Sequence, residues 1–262
     1  MYRFTEDDRG VSESLGHILV FAIVITGIAI IVLFGGNILE DAKSQSNFQS
    51  IEQGLTVVQS DIKRVALEKN PVKVTRMHLE GGTIFSNTNS GMITIDYNGV
   101  NVYRNYTGLI KYDCGKDMRS ISIEDGGLWK RYYDDGTDII VSKPRIFTSD
   151  NTRTLLINVI RMNAEPFSSS GSGTLNIELR YKDTNVYSYY STGGSGQDVR
   201  LAFETDYPNA WTRYLTKDAI PDFAIIPASP APASGIDVTI KDVNELVIVE
   251  HVIDAKLYGV VV

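Results

Sequence analysis

The spacing of hydrophobic and polar positions changes twice along the chain. Leu15–Phe34 contains only His17 and Thr26 as clearly polar members. As a helix this stretch is about 30 Å long, the thickness of a hydrocarbon core, so it predicts a membrane-spanning helix rather than the core helix of a globular domain. Beyond it the apolar residues narrow to a single stripe. Phe48, Ile51, Leu55, Val58, Ile62 and Val65 recur at alternating steps of 3 and 4, and no proline intervenes before Pro71. That is a heptad seam, and it predicts an amphipathic continuation of the helix over 37–70. A helix running from Val11 to Lys69 is about 90 Å long, far more than a bilayer needs. Gly35-Gly36 is its expected flexible point. The seam fits two destinations, the underside of the chain's own following domain or the seams of neighbouring helices.

After Pro71 the period falls to two. Short strands are predicted at 72–79, 92–97, 100–106, 120–125, 128–135, 154–162, 174–181, 186–191, 199–205, 236–242 and 245–259. Asn98-Gly99 is the strongest hairpin signal. One helix is expected at 206–218, with Asp206 as its cap and Pro208 in its first turn. The segments 168–173 (SSSGSG), 191–196 (STGGSG) and 227–235 (PASPAPASG) read as hairpin tips and a connection. Glu250, His251, Asp254 and Lys256 interrupt the apolar C-terminal run, which is therefore a strand and not a second anchor. The expected fold class is α+β: a long N-terminal membrane-spanning helix followed by a large antiparallel β-rich domain, a sheet or sandwich, over 71–262.

Composition refines this picture. Fourteen Tyr and 22 Gly suit strands and turns, and a net charge of −7 with scattered Lys and Arg lacks the basic stripe of a nucleic-acid binder. The single cysteine, Cys114, excludes an intrachain disulfide and a Cys-based zinc site, and is expected as a buried thiol. No phosphate loop, H-E-x-x-H or G-x-S-x-G occurs, so neither an enzyme nor a cofactor is expected. His78 and His251 read as ordinary strand residues, and Asp134-Asp135-Gly136-Thr137-Asp138 as a polar turn rather than a calcium loop. Asn105-Tyr106-Thr107 matches an N-glycosylation acceptor. Tyr187, Tyr189, Tyr190, Trp129, Tyr132, Tyr133 and Trp211 suggest cross-strand aromatic pairs, with an adhesive surface as the alternative.

Arg9-Gly10-Val11-Ser12, a basic residue and a glycine directly before a long apolar helix, resembles the class III signal site of archaeal type IV pilin-like and archaellin-like proteins. The resemblance extends over residues 1 to about 67. It implies a leader over 1–10 that a prepilin peptidase removes between Gly10 and Val11, and a transmembrane and filament-core helix over 11–36 in which Glu13, Leu15, Phe21 and Phe34 serve assembly. Bacterial type IV pilins carry Glu at the fifth mature position, here Leu15, and the nearest acid is Glu13 at the third, which agrees with the archaeal side. A new amino group at Val11 would lie close to Glu13 at a helix N-terminus, where a carboxylate is favoured. Arg3, Arg9 and the initial amine lie before the apolar segment, while Glu40, Asp41 and one Lys43 follow it, which favours the N-terminus inside. The implied product is a structural cell-surface subunit, single-pass in the membrane before assembly and in an extracellular filament afterwards. Its partners would be the membrane, the peptidase and other pilins or copies of itself. An exported domain of this size favours a minor or tip subunit. The rival readings are a monomeric anchored surface-binding or adhesion protein, and an envelope hydrolase, which only a pocket of perturbed carboxylates would support.

Overall fold

The computed structural model describes residues 8–115, 118–132, 137–192, 195–221, 223–229, 232 and 234–259. Residues 1–7 of the expected leader, 133–136 of the Asp-rich turn and parts of the 191–196 and 227–235 connections lie outside the described residues. So do the side chains of Arg9, Val11, Glu13 and Phe34, and the exposure of Gly10. The chain divides into two compact units after Gln49.

A helix, α1 (Asp8–Leu67), provides the described structure of the first unit, and its last turns, from Ser50, belong to the second. The paired glycines do not interrupt it. The strands of the second unit are β1 (Val72–Asn87), β2 (Met92–Tyr97), β3 (Val100–Tyr106), β4 (Leu109–Asp113), β5 (Ser120–Glu124), β6 (Gly127–Tyr132), β7 (Thr137–Ser142), β8 (Arg145–Ser149), β9 (Thr154–Ala164), β10 (Phe167–Tyr190) and β11 (Gln197–Phe203). A short helix, α2 (Pro208–Tyr214), runs into a π-helical turn at Leu215–Ala219 and is followed by β12 (Ile225–Pro227), β13 (Ile236–Val243) and β14 (Glu245–Gly259). They form a nine-stranded sheet A, β7-β6-β5-β4-β1-β10-β14-β9-β8, and a five-stranded sheet B, β12-β13-β11-β2-β3.

The alternating segments became strands, with several differences. The pair β9–β14 is parallel, not antiparallel. The strands β4, β7, β8 and β12 are short and were not expected. The SSSGSG segment is not a hairpin tip but part of β10, where Ser168, Ser170 and Ser172 pair with Phe85, Thr83 and Glu80 of β1. A long neighbour supplies the ladder there and overrides poor strand propensity. Asp206 does not cap α2; the cap position is Tyr207 without a side-chain bond, and the Asp206 carboxylate accepts from Lys111 Nζ at 2.9 Å. Pro208 does open the helix.

Sheet A is buried on both faces over much of its area. Alternate residues of β9 and β14, such as Leu155, Ile157, Leu246 and Ile248, join β2, β11, β13 and α2 in one core, where Trp129 stacks on Trp211 at 4.3 Å. The opposite face receives the 50–67 part of α1. Ile51, Leu55, Val58, Ile62 and Val65 are all at most 1% exposed. Thus the seam packs on the chain's own β domain, which resolves the two destinations its spacing left open. Polar pins set its register: Gln59 Nε2 donates to Gly126 O at 2.6 Å, Thr75 Oγ1 to Asp61 Oδ2 at 2.6 Å, and Lys130 Nζ to Glu52 at 2.7 Å.

Sheet A also curls until its two wings meet along the free edge of β9. Met162 N–H donates to Thr107 O at 2.7 Å, Ile160 N–H to Asp125 Oδ1 at 2.8 Å and Thr88 Oγ1 to Ala164 O at 2.6 Å. Gly108 is required at this closure: its φ is +71°, and a Cβ there would lie 2.2 Å from Met162 O. The result is a nearly closed trough that holds the 50–67 helix as its spine.

Candidate functional site

In the first unit, Leu15, Phe21, Ile31 and Leu33 are each 61–70% exposed, and the most apolar window of the helix has a mean hydropathy of 3.0 with none of it buried within the chain. A Leu, Ile or Phe side chain loses about 1.5–3 kcal/mol by standing in water instead of an apolar medium. A row of them is suited to an apolar covering rather than to water. By length and composition α1 can cross a membrane. Arg9, Gly10 and Val11 fall in its first turns. Phe48, the first residue of the seam, is buried, whereas Leu15 and Phe21, the positions expected to serve assembly, are exposed.

Asn105 lies half-buried on β3, and its Nδ2 donates to Glu250 Oε1 at 3.3 Å. The same carboxylate accepts from Tyr103 OH at 2.8 Å and Asn185 Nδ2 at 3.1 Å, and pairs with Arg161 at 3.2 Å. This cluster ties β3 of sheet B to β14, β10 and β9 of sheet A. Burial and the Glu250 charge push the Tyr103 phenol far up. Thr107 of the same tripeptide is fully buried with its hydroxyl on Gly91 O. A glycan on Asn105 would replace one of its two Nδ2 hydrogens and leave the other to donate to Glu250.

The other candidates are dispersed. His78 is exposed on β1 opposite Thr174, while His251 is buried on β14 opposite Thr184, ten residues away along β10, or about 33 Å. Burial, with Lys69 and Arg145 adding to it, lowers the His251 pKa, and the ring lies within hydrogen-bond distance of Thr184 Oγ1 at 3.2 Å. Asp138 is buried against Arg131 Nε at 2.9 Å, and among the described residues no group of acids, histidines and cysteine could hold a metal ion. Cys114 is half-buried, with Arg119 Nη2 3.7 Å from its sulfur. The aromatics form inter-sheet pairs, Tyr97 with Tyr189 at 6.1 Å and Tyr103 with Tyr187 at 6.0 Å, alongside the stacked tryptophans.

Two acids that sequence reasoning passed over are fully buried at the β5–β6 turn. Glu124 is 2% exposed and its pKa is pushed up to about 7, chiefly by burial, while the Thr205 hydroxyl, 2.7 Å away, works against the rise. It lines a cavity of about 350 Å³ with Lys111, Thr205 and Asp206. Burial likewise raises Asp125, whose Oδ1 holds Ile160 N–H. The signal for them was an acidic pair ending an alternating strand before Gly126-Gly127, which also fits an exposed turn.

Residues 9–256 match a family described as "Family of unknown function (DUF7289)". A protein of Archaeoglobus fulgidus described as "Uncharacterized protein" is 23% identical over 257 residues, covering 80% of this chain and 84% of its own length. No solved structure gives a significant match to the chain.

Proposed function

We propose, for a chain that belongs to the DUF7289 family, a structural role at the cell surface: a type IV pilin-like subunit, minor or tip, that a prepilin peptidase trims after Gly10 and that assembles through its N-terminal helix. One observation carries the reading. The amphipathic part of α1 is consumed inside the β domain, whereas the exposed apolar part finds no cover within the chain. Lipid supplies that cover before assembly, and the same segments of neighbouring subunits supply it afterwards. An archaeal relative matched over most of its length is in keeping with this setting. The β domain then lies on the outer side of the membrane, and no catalysis is assigned to it.

The test is the mature N-terminus of the native protein, read by mass spectrometry of its terminal peptide. The expected start is Val11, together with recovery of the chain in filaments sheared from cells. An intact Met1 or Tyr2 would replace the pilin reading with that of an anchored surface protein. A start beyond Phe34 would overturn both.

A further inference from the structure

Sheet B covers only part of the face of sheet A on which it packs. Tyr189, Leu246 and Ile248 lie beneath it, but farther along the same faces of β14 and β9, past the buried Val159, Glu250 and Val252, and on the neighbouring part of β10, residues emerge at the surface. Arg180 stands opposite Asp254, and Asp254 opposite Asn163, in one cross-strand row; Glu178 stands opposite Lys256 in the next. With Thr88, Glu165, Lys182 and Tyr258 they line a cleft of about 900 Å³, within the range of small-molecule sites. Strand spacing and the two-residue repeat set these groups on a lattice of about 4.8 by 6.8 Å.

The charges of the cleft balance: three carboxylates (Glu165, Glu178, Asp254) face three cations (Arg180, Lys182, Lys256). They are matched internally, Asp254 with Asn163 at 2.8 Å and Lys182 at 3.4 Å, Lys256 with Glu165 at 3.3 Å, and Arg180 with Glu178. Exposed pairs of this kind contribute only about 0–1 kcal/mol to stability. An ionic ligand would have to break these pairs. A neutral polyol need not, because a paired carboxylate keeps unused lone pairs and a paired ammonium keeps unused N–H donors.

We propose that this cleft binds a neutral glycan chain, whose hydroxyl groups bridge the Arg180–Asp254–Asn163 row and the Glu178–Lys256 row while Tyr258 offers an aromatic surface to a sugar ring. The extent of the lattice over three strands suits a chain of sugars better than a single headgroup. A β domain on the outside of a cell meets such chains on neighbouring surfaces.

The test uses the full-length chain in a detergent without sugar headgroups. Saturation-transfer NMR titrations use cellotriose, maltotriose and chitotriose as neutral probes, with inorganic phosphate as the charged probe. Saturable millimolar or tighter binding of at least one trisaccharide is expected, weakened about tenfold by Asp254→Ala and by Lys182→Ala and unchanged by Arg76→Ala on the same sheet face outside the cleft. Circular dichroism checks that the variants fold. Absence of saturable binding by all three trisaccharides overturns the proposal, as does saturable binding of phosphate alone or trisaccharide binding that survives both cleft substitutions.

Discussion

Glu124→Gln tests whether the buried acid at the β5–β6 turn governs how stability depends on pH. In the folded protein burial raises this carboxyl from its ordinary 4.5 to about 7, while Thr205 and Lys111 act in the opposite direction. The unfolded chain returns it to water and to its ordinary value. Between pH 4.5 and 7 the folded state therefore holds a proton that the unfolded state has released. Stability must fall as pH rises through that window, by about 1.4 kcal/mol per unit and about 3 kcal/mol in all. The contribution is complete below pH 4.5 and gone above pH 7. Glutamine has a similar shape and keeps an acceptor for the Thr205 hydroxyl, but does not titrate. Urea denaturation at a series of pH values, followed by the fluorescence of the stacked Trp129 and Trp211, gives the two stability curves. Asp125 is present in both proteins, so its own titration largely cancels in their difference. The wild-type minus variant difference should decline by about 3 kcal/mol from the acid to the neutral end. A flat difference, or one that rises with pH, refutes the reasoning and means that the carboxyl is ionised in the fold.

The packing sets the outcome of further substitutions at three places. Leu55→Ala, at a fully buried spine position, should cost about 2–5 kcal/mol in the same assay. Val57→Ala, at a position 53% exposed, should stay within about 0.5 kcal/mol. Gly108→Ala should cost about 3 kcal/mol or more, because it adds a clash with Met162 O to a left-handed backbone; Gly99→Ala, where φ is +75° but nothing lies within 4 Å, should show the smaller strain alone. Lys130→Met removes the cation bound to the partly exposed Glu52 carboxylate and should cost about 1.5–3 kcal/mol. Adding Glu52→Gln should recover much of this loss, and a double-mutant cycle in urea measures the coupling.

The parts of the molecule that depend on neighbours in the chain were legible in its sequence. An uninterrupted apolar run, a 3-and-4 seam and alternating segments state which face of each element avoids water, and side-chain periodicity is enough to read that. β2, β3 and β14 therefore appear at the bounds their pattern predicts. The Asn98-Gly99 turn joins β2 to β3 because both residues adopt positive φ, as such a turn demands. Partners distant in sequence settled the remainder. A helical seam is apolar whether a sheet or another helix covers it, and only the curled sheet A decided that Leu55 and Ile62 are buried by their own chain. Ser-Gly repeats read as a tip in isolation, yet β1 turned them into strand. An Asp or Glu before two glycines looks like an exposed turn until the meeting of two sheet wings excludes water from Glu124 and Asp125. Burial is a property of what arrives from elsewhere in the fold, and local periodicity carries no record of it.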